Sequence, residues 1–505
     1  MNIFSALDIA ASGILTVNNQ LSVVANNIAN QNTTAYATEL GNQSAIVAGG
    51  TGMGVVSTAT TRDIDLSLQG AVFTQNASVA SLATQNTALS AIDDVSGTTG
   101  AGNDLPSLLG NLQASFTTLS STPDSGAAQS EVVSAASVLA SGINNISGAV
   151  ASQRQSAQDN IVANVSTLNR ALATVGTLNA QIVLNQAMGL GTADLQNQRD
   201  ISEQAISSLV DVKFVTSPNG AVQAITNSGL TLPTDGTGLT TSATTITAAS
   251  TYPSDIPAIT LDGTDVTGSL TGGSIGAAIT LRDTTLPARQ AELDEFSEQL
   301  ATRFSAQGLD LFTDGAEGVP ATGSPTQTNY VGFAGSIEVN PAVSATVSLV
   351  RDGTQDVAGS TTGASAFTRN SAGTAGFTTL INRVLNYTFG GDVQSNVAQT
   401  TIPTSGLGPN GSDSVGYNPG ESLSSFVSAF SSNDAAEVSN VSSQLTGETD
   451  TQTTLQNQLS SGSAVSVDAQ MSDMVQLQNS YAANAKVLTT VEGLWTDLFD
   501  AVDPG

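Results

Sequence analysis

Two apolar stripes with coiled-coil spacing, one opening the chain and one closing it, constrain what these 505 residues can fold into. Ile3, Leu7, Ala10, Ile14, Val17, Leu21, Val24 and Ile28 step alternately by four and three, the a/d spacing that keeps one seam of a helix apolar. Val467, Met474, Tyr481, Leu488, Trp495 and Val502 recur every seven residues, with Leu477, Val491 and Leu498 three residues further on. At about 1.5 Å per residue the two helices would run roughly 40 and 50 Å. Neither can bury its stripe alone. The simplest solution packs each on the other and leaves any uncovered stripe to neighbouring copies. The plainer alternative is an ordinary buried helix at each end of a globular domain, but matched heptads at both extremes favour a terminal coiled coil. Asn2 is expected to cap the first helix, and the Asn-rich stretch 26–32 to end it in a left-handed conformation.

Between these ends the pattern changes several times. After a loop at 97–104, Leu105, Leu108, Leu112, Phe116 and Leu119 mark a helix that Pro123 breaks. A segment from about 129 to 185 follows, its stripe running from Leu139 through Ile143, Ile146 and Val150, interrupted at Gln153 and resuming at Ile161. That predicts a rod. From 212 to 267, Thr, Val and Ile interleaved with Gly and Pro predict short strands, at 222–226 and 254–261 among others. Helix returns over 286–307 with Leu293, Phe296, Leu300 and Phe304 on one face, and 422–458 is again helical in pattern. The Gly-, Ser- and Thr-rich stretch 309–420 reads as an inserted region with β-like pieces at 336–339 and 346–350. The expected fold is α+β multidomain. Its divisions are a terminal half at 1–45, a helical rod at 46–211, a β-rich section at 212–285, a helix at 286–308, a variable β-rich outer domain at 309–420, a returning helical section at 421–465 and the second terminal half at 466–505.

Composition excludes much chemistry. The chain has no His and no Cys, which removes the commonest general base and metal ligand together with thiolate and disulfide chemistry. Only 11% of residues are charged, and 42 acids against 12 bases leave a net charge of -30. Neutralising phosphates needs clustered Lys and Arg, so nucleic acid and anionic membranes are not expected partners. No apolar run reads as a membrane span, and residues 1–11 carry no Lys or Arg, so a cleavable Sec-type signal is not expected.

The remaining chemical candidates each have a simpler explanation. Gly50, Gly52 and Gly54 lack the Lys-Ser/Thr of a phosphate loop, and a turn or β-extension accounts for them. Asp310, Asp314, Gly315 and Glu317 miss the ligand spacing of a calcium loop and fit an acidic turn. Asp93 with Asp94, or Asp63 with Asp65, could form an acid/base pair, but solvated positions suffice. Trp495 falls on the heptad stripe, where packing outweighs ligand stacking. Asn26, Asn27 and Asn30 suit either a helix cap or a hydrogen bond to a neighbouring copy. No catalytic, metal or cofactor site is expected.

Two terminal motifs carry a family resemblance. Ala25-Asn26-Asn27-Ile28-Ala29-Asn30-Gln31-Asn32-Thr33-Thr34-Ala35-Tyr36 resembles the signature shared by flagellar rod, hook and hook-associated axial proteins, although those commonly have Gly before the aromatic residue and a basic residue soon after it, where this chain has Ala35 and Ala37-Thr38. Val465-Ser466-Val467-Asp468 and the run Met474-Val475-Gln476-Leu477-Gln478-Asn479-Ser480-Tyr481-Ala482-Ala483-Asn484 are similar to the signature at the other terminus. Within that superfamily, Gly52-Met53-Gly54-Val55-Val56, Arg62-Asp63-Ile64-Asp65, Asp194-Leu195-Gln196-Asn197-Gln198-Arg199-Asp200 and Gly272-Gly273-Ser274-Ile275-Gly276 before Leu281-Arg282-Asp283 resemble the first hook-associated protein family. The stretch 309–420 matches nothing recognisable.

The resemblance implies a non-enzymatic building block of the bacterial flagellum at the hook-filament junction, outside the cell, exported through the flagellar channel without a Sec signal. It implies self-association in a helical assembly, contacts with hook protein and the next hook-associated protein, and an export chaperone on the C-terminal helix. The interface residues on this reading are Ile3, Leu7, Ile14, Val17, Leu21, Val24, Asn26, Asn27, Ile28 and Asn30, with Val467, Met474, Leu477, Tyr481, Asn484, Leu488, Val491, Trp495, Leu498 and Val502. Another axial protein (hook, distal rod or flagellin) is the alternative. A peptidoglycan-cleaving enzyme working with paired carboxylates, or an extracellular adhesin using the central region, are remoter ones.

Overall fold

The computed structural model describes residues 3–33, 35–97, 100–315, 318–320 and 327–502, the last without its side chain. Helix α1 (Ile3–Ala29) leads into the strands β1 (Glu39–Leu40), β2 (Gln43–Ala48), β3 (Thr51–Ser57) and β4 (Thr61–Arg62). The helices α2 (Leu66–Ser96), α3 (Leu105–Ser121), α4 (Gly126–Ala187) and α5 (Ala193–Leu209) follow, then the strands β5 (Val212–Thr216), β6 (Val222–Thr226), β7 (Thr260–Leu261) and β8 (Thr264–Asp265). Helix α6 (Gly273–Thr280) runs through a π-helical turn, Leu281–Thr285, into α7 (Leu286–Ala306). After β9 (Phe312–Thr313) and β10 (Glu338–Val339) come three short helices, α8 (Pro341–Ala345), α9 (Leu349–Asp352) and α10 (Thr379–Arg383). The strands β11 (Asp392–Gln394), β12 (Val397–Ala398), β13 (Ser405–Leu407) and β14 (Asp413–Ser414) precede the closing helices α11 (Leu423–Ser463) and α12 (Val467–Val502). The chain is mostly helical, about 60%, with small scattered hairpins.

Local chemistry accounts for the helix ends. The carboxylate of Asp65 accepts from the backbone N–H groups of Ser67 and Leu68, and Asp104 accepts from Ser107. Each satisfies donors that the first helical turn leaves unpaired. Ser422 and Ser425 exchange side-chain and backbone hydrogen bonds at the start of α11, a capping box built from two serines.

The longest helix, α4, has 62 residues and would span about 90 Å. It does not stop at Gln153, because Arg154, Ala157 and Gln158 carry the buried stripe onward. One stretch of α4 is long and apolar enough, by length and composition, to cross a membrane, although the sequence reading found no such run. In this fold its stripe packs on α2, α3, α6 and α7.

One buried cluster runs from Ala88 to Phe430 and draws on α2 through α11. It includes Phe312, Phe333, Val343, Val350, Phe367, Leu380 and Phe389, so the stretch 309–420 shares its core with the helices. That stretch was expected to be β-rich. Its strands are two or three residues long, and 349–352, which overlaps the end of the expected strand 346–350, is helical. Frequent Gly, Ser and Pro leave no uninterrupted run long enough for a sheet, and burial of scattered apolar residues on α3, α4 and α7 holds the loops. The section 212–285 was likewise expected to be β-rich, yet 273–280 and 281–285 are helical, continuous with α7. Helix α2 falls inside the expected helical rod at 46–211, although no stripe of its own was read there. Its buried Val72, Phe73, Ala77, Ala88, Leu89 and Ile92 are set among Ser, Thr, Gln and Asn, and it packs on α11, α5 and α6.

Candidate assembly surface

No residue of α1 or α12 belongs to the main buried cluster. Instead the two terminal helices lie along each other. On α1, Ala10, Val17 and Val24 are buried in the seam while Ile3, Leu7, Ile14, Leu21 and Ile28 are half-buried. On α12, Val491 is buried and Val467, Met474, Leu477, Asn484, Leu488 and Trp495 are half-buried. Tyr481 and Leu498, expected on this seam, are exposed. The side chain of Val502, like Asn2, lies outside the described residues. Trp495 packs edge-on against Phe4 with ring centroids 4.9 Å apart, and Phe499 stacks on it at 5.5 Å.

Sequence reasoning missed Gly13. A Cβ there would lie 2.9 Å from the side-chain amide of Asn484, so the glycine lets α12 approach closely. A glycine inside an otherwise unbroken heptad helix was the available signal, since it costs helix stability unless packing uses it.

The β2–β3 hairpin straps the second face of α1. The hydroxyl of Ser12 accepts from the Val55 N–H at 3.1 Å, Gly54 sits directly over it, and Gln20 Nε2 donates to the Gly41 carbonyl at 3.2 Å. Gly49 and Gly50 form the hairpin turn with φ of 59° and 79°. Two consecutive left-handed residues are what a two-residue hairpin turn requires; of the glycines flagged in the sequence, Gly50 lies in this turn and Gly52 and Gly54 in β3.

The third face of α1 and the outer face of α12 are largely exposed. Leu15 is 66% exposed, and Met471, Val475, Val487 and Leu494 are exposed as well, while Phe4 and Phe499 remain more than half exposed beside Trp495.

A polar joint connects this pair to the body. Asn27 is 1% exposed, and its amide is fully used. Nδ2 donates to the Glu39 carbonyl at 2.8 Å and to Gln470 Oε1 at 2.9 Å. Oδ1 accepts from the Glu39 N–H at 2.9 Å and the Tyr36 hydroxyl at 3.0 Å. Two donors and two lone pairs exhaust the capacity of an Asn side chain. Asn27 was read as either a helix cap or a partner for a neighbouring copy; here its hydrogen bonds all fall within the chain, one of them to α12. Asn30 bonds within its own turn, to the Asn26 carbonyl and Thr33 hydroxyl, and Asn26 is exposed. None of them adopts a left-handed conformation. Ala35, six residues beyond the end of α1, does, with φ 62°, at the position where the flagellar signature commonly has Gly.

Around Asn27 the joint widens. Thr38 donates from its N–H and its hydroxyl to the Ser463 carbonyl, at 2.8 and 2.9 Å, tying the segment after α1 to the end of α11. Asn197 on α5 pairs with the Ala37 backbone and donates to Glu39 Oε1 at 3.2 Å. Arg62 bridges Gln196, Asn197 and Asp200, the last at 2.6 Å, and Gln69 of α2 donates to the same Asp200 carboxylate. Burial pushes the Glu39 carboxyl up to about 7, with the neighbouring Asp194 carboxyl adding to the rise and Arg62 opposing it. The motifs containing Arg62, Asn197 and Asp200 thus converge on one joint.

Elsewhere the flagged acids have structural partners. Asp65 caps α2, Asp314 accepts from the Gly318 N–H, and Asp310 accepts from Gln355. Glu317 lies outside the described residues. Among the described residues no group of three or more acids could hold a metal ion.

A family model for the flagellar hook-associated protein FlgK helical domain matches residues 89–320, and one for the flagellar basal body rod FlgEFG protein C-terminal region matches 456–498. Flagellar hook-associated protein 1 of Bacillus subtilis is 27% identical over 229 residues, 43% of this chain and 45% of that protein. The matched part thus spans about half of that curated relative. A flagellar hook junction protein FlgK structure from Burkholderia pseudomallei superposes with TM-score 0.41 and 22% identity, covering 50% of this chain and 47% of that one.

Proposed function

The chain belongs to the FlgK family of flagellar hook-associated proteins, and from that premise we propose that it is a structural segment of the flagellar shaft that joins hook to filament and polymerises through its terminal helices. The observation that carries this reading is the apolar surface on α1 and α12 that the chain itself leaves uncovered. Covering one large apolar side chain is worth roughly 1.5–3 kcal/mol. Half a dozen on each copy outweigh the cost of association only when neighbours supply the cover. A head-to-tail contact that does not close gives a helical stack.

On this reading the partners are further copies, hook protein on one side and the next hook-associated protein on the other. Before export through the flagellar channel a chaperone holds α12, the most exposed helix. The role is structural and not enzymatic, and the site of action is the flagellum outside the cell.

Electron microscopy of cells lacking the gene tests the proposal. Hooks without filaments are expected. Missing hooks would place the protein lower in the shaft, and normal filaments on cells carrying only a chain truncated of 1–40 or 466–505 would end the assembly reading.

A further inference from the structure

We infer that the outer edge of β5 is a docking groove for the β2–β3 hairpin of a second copy, so that neighbouring copies share an intermolecular sheet; this rests on the self-assembly reading above. Both edges follow from the backbone hydrogen bonds. The backbone groups of Val222 are taken by Asn179, at 3.0 and 2.8 Å, while Ala224 accepts from Leu232 and Thr226 donates to Leu230. These three residues of β6 therefore point away from β5. Their register partners Thr216, Phe214 and Val212 point away from β6 in turn, and their outward N–H and C=O groups meet no partner among the described residues.

Those groups face a groove of about 590 Å³ between β5 and the first turns of α2. Its far wall is Leu66, Gly70 and Thr74, one stripe at spacing four. Gly70 lies inside a helix, and a Cβ there would touch nothing within 4 Å, so the fold of one copy gives no reason for glycine. An extended backbone lying in the groove does, because it needs that clearance. Exposed strand edges are ordinarily covered or charged; here Val212 is buried and Lys213 supplies one charge, while Val215 and Thr216 are exposed.

The hairpin offers the matching edge. Val55 directs its N–H to Ser12, so its partner Ala45 turns its own backbone groups outward, and every residue of β2 is exposed. Residues 40–61 carry no charge, in a chain of net charge -30. The groove gathers Arg62, Arg199 and Lys213 against Asp200 and Glu203, and Lys213 has no ion pair among the described residues. An uncharged strand entering a groove where basic residues outnumber acidic ones meets little of the repulsion that a net charge of -30 sets up between copies. Hairpin and groove are different surfaces, so the contact runs head to tail and can repeat from copy to copy.

The chain has no native cysteine, which makes cross-linking specific. Flagella are purified from cells whose only copy carries Val215→Cys together with Ser44→Cys, Ala45→Cys or Ile46→Cys. The expected result is a ladder of disulfide-linked oligomers for at least one pair, lost on reduction. Chain incorporated in flagella but monomeric after oxidation in all three pairs overturns the docking while leaving the assembly reading intact. If the unaltered chain is absent from flagella, both fall. Two single changes test the groove without cysteines: Gly70→Leu fills it, and Thr216→Pro removes one outward N–H. Each should cut incorporation at least tenfold with the melting temperature of the free chain unchanged or raised. Full incorporation of both overturns the inference.

Discussion

The amide of Asn27 on α1 donates to Oε1 of Gln470 on α12 at 2.9 Å, a hydrogen bond spanning 443 residues of chain. It joins the two ends of the molecule at the point where both meet the body. Replacing Asn27 by Ala would strand the Glu39 backbone, the Tyr36 hydroxyl and Gln470, and each buried polar group left unpaired costs about 1–3 kcal/mol. We expect amide hydrogen exchange to accelerate at least a hundredfold through α1 and the start of α12, with protection in α4 unchanged. Uniform loss of protection would show that the joint and the core unfold together.

Ala35 holds φ 62°, where a Cβ costs roughly 1–2 kcal/mol and glycine nothing. Ala35→Gly should therefore raise the stability of the terminal pair by up to about 1 kcal/mol after the added freedom of the unfolded chain is subtracted. Thermal melts followed at the terminal helices check the sign, and a lower midpoint would refute the strain.

Trp495 is the sole tryptophan, and it lies between Phe4 and Phe499 on the terminal pair. Because α1 and α12 share no buried residue with the main cluster, tryptophan fluorescence should change at a lower urea concentration than the far-ultraviolet circular dichroism of the body. Coincident transitions would mean one cooperative unit.

Gly273 has φ 58°, and a Cβ there would fall 2.4 Å from the Leu209 carbonyl carbon. Backbone cannot yield as a side-chain tip can, so Gly273→Ala should cost about 3 kcal/mol or more. Gly142 makes a useful contrast, since an added Cβ meets only side-chain ends, Leu108 Cδ1 at 2.7 Å and Leu105 Cδ2 at 3.7 Å. Comparing the two melting temperatures decides whether the backbone contact matters.

Several carboxyls sit above their ordinary range. Burial lifts Glu298 to about 7, with Glu295 adding to the rise, and Glu39 reaches about 7 by burial beside Asp194. The folded state therefore binds more protons than the unfolded one between about pH 4.5 and 7. Their contribution is complete below the lower limit and is lost as pH rises through the upper one. The melting temperature should be higher at pH 5 than at pH 8, and Glu298→Gln should flatten part of that slope. An unchanged slope in the variant would refute the assignment.

What the residues announced and what they concealed follow one physical division. Heptad spacing in α1 and α12, the Val222–Thr226 strand and the long periodic helix α4 were legible, because each depends on a side-chain period set by local backbone geometry. Helix α2 lay inside the expected helical rod but showed no stripe of its own, since its buried Val72, Phe73, Leu89 and Ile92 are interleaved with polar residues that face α11 and α5. The stretch 309–420 was misread as β-rich because its Thr and Val residues favour strands only where a partner strand is present. Asn27 was singled out by type, but its partners lie at Glu39 and Gln470, beyond any local pattern.

By itself, then, the sequence determined that both ends would be long amphipathic helices unable to bury themselves, that the surface would be acidic, and that no histidine or cysteine chemistry was available. Only the tertiary structure decided which faces of those helices are covered, that the hairpin occupies one of them, and that a satisfied polar joint rather than a shared apolar core attaches them to the body. Periodicity is a property of one segment, whereas burial and hydrogen-bond saturation depend on what distant segments bring to the same point.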